Sequence, residues 1–261
     1  MARRVPAVIC GVAVLVAEMM SPAVSCAQSS SPWSIDLARD RATATNGGAK
    51  SIWATERLQV SWTRPDEGGW LVSIERQQRE RLVDVATAAR AYKRAGDWTM
   101  TAGVSSTVDA EFLSKVSAEA ELSRRVMGTL VASLGYRYLD FRLLDVHQAQ
   151  PALTWYHSKG EVAGTLFISR NTATGRTSPT IQLRTYSQVR SRLRIGGGVA
   201  YGDRMFDIAS LPAGASHSIA AFGQVRVGLT ALDSIEIGGV VAREDPAFRY
   251  KSFSFGYRRT F

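Results

Sequence analysis

The stretch Phe253-Ser254-Phe255-Gly256-Tyr257-Arg258-Arg259-Thr260-Phe261 ends the sequence on an aromatic residue. Taken by twos, it sets Phe253, Phe255, Tyr257, Arg259 and Phe261 on one face and Ser254, Gly256, Arg258 and Thr260 on the other. A period of two marks a strand, because successive Cβ atoms point to opposite sides of the pleat. In water, a terminal edge this apolar would invite aggregation, so a soluble domain has no reason to keep it.

The same alternation recurs upstream. Trp33, Ile35 and Leu37 oppose Ser34 and Asp36; Leu58, Val60 and Trp62 oppose Gln59 and Ser61; Trp70, Val72 and Ile74 oppose Ser73 and Glu75. Leu130, Ala132, Leu134, Tyr136 and Tyr138 oppose Ser133, Gly135 and Arg137. Leu193, Ile195, Val199 and Tyr201 oppose Arg192 and Arg194, and Ile235, Ile237 and Val241 oppose Glu236. After residue 31 no segment repeats its apolar residues at three and four, and none holds ~18 consecutive apolar residues, so spanning helices are excluded.

Polar breaks separate the runs and alternate in length. Six short ones lie at 65–69, 94–97, 124–128, 158–161, 190–192 and 231–233. Seven longer ones lie at 45–50, 77–81, 107–114, 141–147, 171–178, 203–217 and 243–251. This rhythm predicts an antiparallel meander with turns at one end and loops at the other. Thirteen breaks give fourteen strands. Twelve is the alternative, because residues 83–92 are weakly patterned and the first hairpin can lie outside the sheet.

The N-terminus has Arg3 and Arg4, an apolar run over 5–17 that stops at Glu18, and small residues at Ser25 and Ala27. That is the pattern of a secretory signal peptide over 1–27, cleaved after Ala27, with one domain over 28–261. A lipoprotein reading, with Cys26 as the lipid-bearing residue, competes with it. Cleavage after Ala27 removes Cys10 and Cys26 together, so no disulfide framework is expected. The net charge of +9 does not point to nucleic acid, because the chain carries an export signal and its cations are scattered among acids. A membrane surface is the expected anionic partner.

The apolar face carries Trp33, Trp62, Trp70, Trp98, Tyr138 and Tyr201 near strand ends, which suits two aromatic girdles around a lipid-facing band of about 25 Å. In lipid every backbone donor must be paired within the protein, so the sheet must close and its last strand must pair with its first. The expected fold is all-β, a transmembrane antiparallel up-and-down barrel of about fourteen strands in the cell outer membrane. Short turns are expected in the periplasm and longer loops outside. The final strand resembles the signal read by the barrel assembly machinery of Gram-negative bacteria: Phe253, Phe255, Tyr257 and Phe261 match it. Arg259 departs from it, at a rim where an arginine can snorkel to head groups.

A more particular likeness lies in residues 134–160. Gly135, Tyr136, Arg137, Asp140, Phe141, Trp155 and Tyr156, with the final strand, resemble the YaiO family of outer-membrane β-barrel proteins. The resemblance implies location and fold, and an activity suspected to concern surface polysaccharide export or envelope maintenance. It brings no catalytic residues and no cofactor.

Charged residues on the polar face are expected inside the barrel, at Glu75, Lys115, Glu119, Glu121, Arg137, Arg184, Arg194, Arg226 and Glu236. Inside, they either line a passage for an anionic or carbohydrate solute or pair across a plugged lumen. Cations of the longer breaks, Arg79, Arg81, Arg142, Arg170, Arg176, Arg204, Arg243 and Arg249, are expected near lipopolysaccharide phosphates, alongside outer-membrane lipid. A non-enzymatic pore or export accessory is the leading reading. Its alternatives are a lipid A- or phospholipid-modifying enzyme and a structural barrel. Among His147, His157 and His217, the pair His217 and Ser218 is the least poor catalytic candidate, but neighbours on a strand point to opposite faces. No histidine pair has ligand spacing, so no metal is expected. The run at 196–202, Gly-Gly-Gly-Val-Ala-Tyr-Gly, has no helix after it and is read as close packing within a strand rather than as a phosphate loop.

Overall fold

A computed structural model describes residues 32–64, 66–203, 217–244 and 248–261. The signal segment over 1–27 with its cleavage site after Ala27, Cys26 and Arg204 lie outside the described residues. Fourteen strands run in chain order: β1 (Trp33–Asn46), β2 (Ala49–Arg64), β3 (Gly68–Arg79), β4 (Leu82–Ala95), β5 (Trp98–Val108), β6 (Val116–Met127) and β7 (Leu130–Phe141). The second half is β8 (Leu144–His157), β9 (Gly160–Asn171), β10 (Thr177–Arg190), β11 (Leu193–Asp203), β12 (His217–Gly228), β13 (Asp233–Glu244) and β14 (Phe248–Thr260). Each pairs antiparallel with its chain neighbours, and β14 pairs with β1 to close the barrel. The count is fourteen and not twelve, since the weakly patterned residues 83–92 form β4 and the first hairpin belongs to the wall.

Closure follows from register. Tyr257 lies opposite Leu37 and Arg258 opposite Asp36, so the apolar face of β14 continues that of β1 and the polar face does likewise. A slip of one residue would turn every apolar side chain of β14 into the lumen. Arg258 reinforces the register from inside through an ion pair with Asp36. Outside, Arg259 lies 3.5 Å from Asp233, which also accepts a hydrogen bond from the Tyr257 hydroxyl.

The two ends differ. The terminal rim, where the chain enters β1 and leaves β14, carries the short turns. Its outer face holds a belt in which Trp33, Trp62 and Trp70 lie side by side in register, Trp33 and Trp70 meeting edge to face at 5.4 Å. At the opposite, loop rim, several expected long loops are tight turns. Gly47–Gly48, Glu80–Arg81 and Arg142–Leu143 alone connect their strands. The polar residues flanking them extend the strands past the lipid: strands of 12 to 16 residues exceed the ~9–11 that a tilted span needs. Beyond the lipid the hydropathy alternation can stop while the hydrogen-bond ladder continues. Gly47 and Gly48 both have positive φ (55° and 90°), the conformation a two-residue hairpin of matching twist demands.

Outward side chains are mostly apolar and exposed, as in Leu37, Val72, Leu134, Leu183, Val199 and Phe253. A cluster of charge interrupts the band. Glu56 lies between Arg39 and Arg76, at 3.7 and 3.6 Å, on the outer face of β1–β3.

Candidate functional site

The lumen is divided in character. Toward the loop rim, Ala42, Ala44, Trp53, Val240, Phe248 and Tyr250 pack into an apolar cluster inside the barrel, with Phe222 and Ala242 against it. Leu139, Leu144 and Val146 form a second one with Phe141. The glycines of β11 make room for rings. A Cβ at Gly196 would come within 2.2 Å of the Tyr186 ring, and one at Gly198 within 2.5 Å of Phe222. Gly196 and Gly198 are thus a flat bed for these two rings, and a Cβ at Gly202 would meet the β10 backbone at Pro179 and Thr180.

The connection between β5 and β6 folds inward and adds to this occlusion. Phe112 and Leu113 are buried, and the reason is Asp84. Its fully buried carboxylate, on the lumen face of β4, accepts the backbone N–H groups of Glu111 (3.0 Å), Phe112 (3.0 Å) and Leu113 (2.8 Å). A carboxylate held by three amides is a charge-assisted anchor, stronger than neutral turn bonds. Phe112 in turn lies under the guanidinium of Arg79, 4.2 Å away, while Trp53 flanks the same cation at 4.6 Å. Arg79 was expected among the cations facing lipopolysaccharide. It is instead buried in the lumen, because β3 continues to residue 79 and odd positions on it face inward.

On the terminal side of this plug the lumen is polar and contains a cavity of ≈ 260 Å³, walled by β1–β7 and β12–β14 and roofed by Leu113 and Ser114. Five arginines (Arg57, Arg90, Arg137, Arg226, Arg258) face four carboxylates there (Asp36, Glu75, Glu119, Glu236), so the wall carries one excess positive charge. Arg226 holds Glu236 at 2.6 Å, and Arg90 reaches Glu119 at 3.0 Å across the intervening β5. Gly103 permits that reach, since a Cβ there would lie 2.7 Å from the Glu119 carboxylate. Arg57 lies opposite Glu75, which accepts a bond from Gln77. Ser105 and Ser117 share a hydrogen bond of 2.7 Å on the same wall. Such a surface can hydrogen-bond a hydrated solute and hold an anion without burying an uncompensated charge.

Of the charges expected inside, Glu75, Glu119, Arg137, Arg226 and Glu236 line this cavity. Glu121 lies nearer the terminal rim on the same face of β6 and accepts a bond from Ser123. Arg184 and Arg194 stand on the far wall, Arg194 4.9 Å over the Tyr186 ring. Lys115 is not on a strand: it precedes β6, exposed at the loop rim, where the chain leaves the inward-folded connection. Sequence reading missed Asp36, Arg57, Arg90 and Arg258 as cavity residues. Parity with Trp33, Leu58 and Tyr257 places three of them on the polar face, whereas Arg90 sits in the stretch without clear alternation.

Among the described residues the histidines assemble no acyl-transfer site. His217 faces outward and lies 3.2 Å from Asp203, while the hydroxyl of Ser218 faces inward and donates to the Gly202 carbonyl. His147 shares a hydrogen bond with Tyr136 on the outer face, and His157 ends β8 at the terminal rim. No histidine lines the cavity. Among the described residues no group of three or more His, Cys, Asp and Glu is placed to hold a metal ion.

The YaiO membrane beta barrel domain matches residues 44–202 of this chain. The chain belongs to that family. The YaiO match extends from the end of β1 to β11 and includes the Asp84 anchor and much of the cavity wall. The YaiO barrel is similar in fold to three solved outer-membrane structures. The translocator domain of the autotransporter NalP from Neisseria meningitidis shares 10% identity, covering 95% of this chain and 93% of that one, with a TM-score of 0.55. The CymD monoaromatic hydrocarbon channel shares 9% identity over 90% of each chain, with a TM-score of 0.63. An anion-selective porin from Comamonas acidovorans shares 9% over 90% of this chain and all of that one, at 0.50. No curated protein matches the chain. Family and fold together place this YaiO barrel in the outer membrane, with porins and channels among its structural neighbours.

Proposed function

We infer that this YaiO barrel is a non-enzymatic envelope protein that takes a hydrophilic, acidic solute into its lumen, and that the solute is carbohydrate of an exported surface polysaccharide. The carrying observation is the cavity wall, with five arginines against four carboxylates and serine hydroxyls between them. Such a wall suits a hydrated, negatively charged chain and is a poor host for an apolar one. Two barrels of similar fold are described as a hydrocarbon channel and an anion-selective porin, which supports passage as a use of this architecture. The β5–β6 connection is the barrier: it sits between the cavity and the loop rim, held by Asp84.

A second reading, a structural barrel with a closed lumen, is favoured by the packed Trp53–Tyr250 cluster above the cavity. Planar-bilayer recordings separate the two. Solute passage calls for anion-preferring steps that are rare in the unmodified protein and more frequent in Asp84→Ala, whose connection is released. Silence in both proteins would leave the structural reading in place.

A further inference from the structure

We propose that the outward face of β13–β14–β1–β2 at the loop rim is a binding surface for the phosphates of lipid A, the bisphosphorylated glycolipid that anchors lipopolysaccharide in the outer leaflet. Five exposed cations converge there: Arg41, Lys50, Arg243, Arg249 and Lys251. Register sets them side by side. Arg243 lies opposite Arg249, Arg249 opposite Thr45, and Thr45 opposite Lys50. One step toward the lipid, Lys251 lies opposite Thr43, and one further, Arg41 lies opposite Phe253.

Like charges placed directly across a strand pair repel, so Arg243 facing Arg249, with Lys251 next to them, is a row that an anion would relieve. The described outward acids on these four strands lie elsewhere. Glu56 is taken by Arg39 and Arg76 deeper in the band, and Asp233 is at the terminal rim beside Arg259. Other sectors differ, since β7, β8 and β11 bring Asp140, Asp145 and Asp203 to the loop rim. The basic patch is therefore local to the seam where the barrel closes.

Depth fits the same ligand. A strand rising about 3.4 Å per residue at a tilt of about 40° covers roughly 2.5 Å of membrane depth per residue. From the Trp33 belt, a band of about 25 Å then ends near Thr43, the position opposite Lys251. The cations thus flank the level of the outer-leaflet head groups. Below them, on the β13–β14 side of the seam, Phe253, Ile237, Phe255 and Ile235 give an apolar surface for acyl chains. Arginine forks offer bidentate contacts to phosphate, and the lysines add point charge.

Native mass spectrometry of the protein folded in detergent, with bisphosphorylated lipid A, its dephosphorylated form and no lipid, tests this. The unmodified protein should retain one bisphosphorylated lipid A at least tenfold better than the dephosphorylated form. The triple variant R243Q/R249Q/K251Q should lose that preference, while R170Q/R176Q, altering cations elsewhere on the loop rim, should keep it. Equal binding of both lipids by the unmodified protein would overturn the proposal without any variant having to fold. So would a triple variant that keeps the preference.

Discussion

Asp84 decides where a loop goes. Its carboxylate gathers three amides from residues 27 to 29 positions away, and by doing so turns an exposed polar segment into part of the lumen. Asp84→Ala removes hydrogen bonds to a charged acceptor and leaves buried amides without partners, a loss of about 2–4 kcal/mol for the folded connection. Amide exchange at Glu111, Phe112 and Leu113 should rise steeply in that variant while the strand amides stay protected. Uniform loss of protection would instead make Asp84 a part of the barrel's global stability. Glycines allow a sharper comparison. Gly196→Ala drives a methyl group into the Tyr186 ring and should lower the unfolding midpoint by the equivalent of about 1–3 kcal/mol, whereas Gly164→Ala meets nothing within 4 Å and should be close to neutral. Neither Asp84 nor Arg79 was legible from sequence as a plug residue. A run such as 107–114, polar at both ends, reads as a solvated loop, and nothing local announces a partner on a strand two elements earlier.

Among the elements, β14 has the most demanding position, since it must satisfy β13 on one side and β1 on the other. Its apolar face was legible at once from Phe253, Phe255 and Tyr257, and so was the inward turn of Arg258. The ion pair of Arg258 with Asp36, 222 residues away in sequence, was not, because it exists only when the sheet closes. If Phe261 completes an assembly signal on the lipid face, Phe261→Ser should reduce the heat-modifiable, folded fraction in the membrane more than Thr260→Ser. Equal effects would contradict that assignment. On the lumen side, Arg226→Met strips Glu236 of its charged hydrogen bonds and should cost about 1.5–3 kcal/mol, and adding Glu236→Gln should restore most of it. Strand ends were less legible than strand cores. The ladder runs past the lipid at β1–β2, β3–β4 and β7–β8, where polar residues no longer need to alternate, so sequence patterning ends before the hydrogen bonds do.

For the whole molecule, one surface faces lipid and the other faces a lumen that is charged toward the terminal rim and apolar toward the loop rim. That division was half legible. Period two separates the faces, but it does not tell a charged lumen residue from a ring that fills the lumen, as Trp53 and Tyr250 do. The lipid face, the lumen and the basic seam all depend on the sheet closing with Ala38 opposite Gly256, and this position tests it directly. A Cβ built at Gly256 lies 4.0 Å from that of Ala38, inside the range a disulfide requires. In the variant A38C/G256C, folded in the outer membrane and oxidised, peptide mass mapping should recover a disulfide between residues 38 and 256, while A38C/S252C should give none. Absence of the first cross-link in folded protein, or its appearance in the second pair instead, would contradict the closed fourteen-stranded barrel.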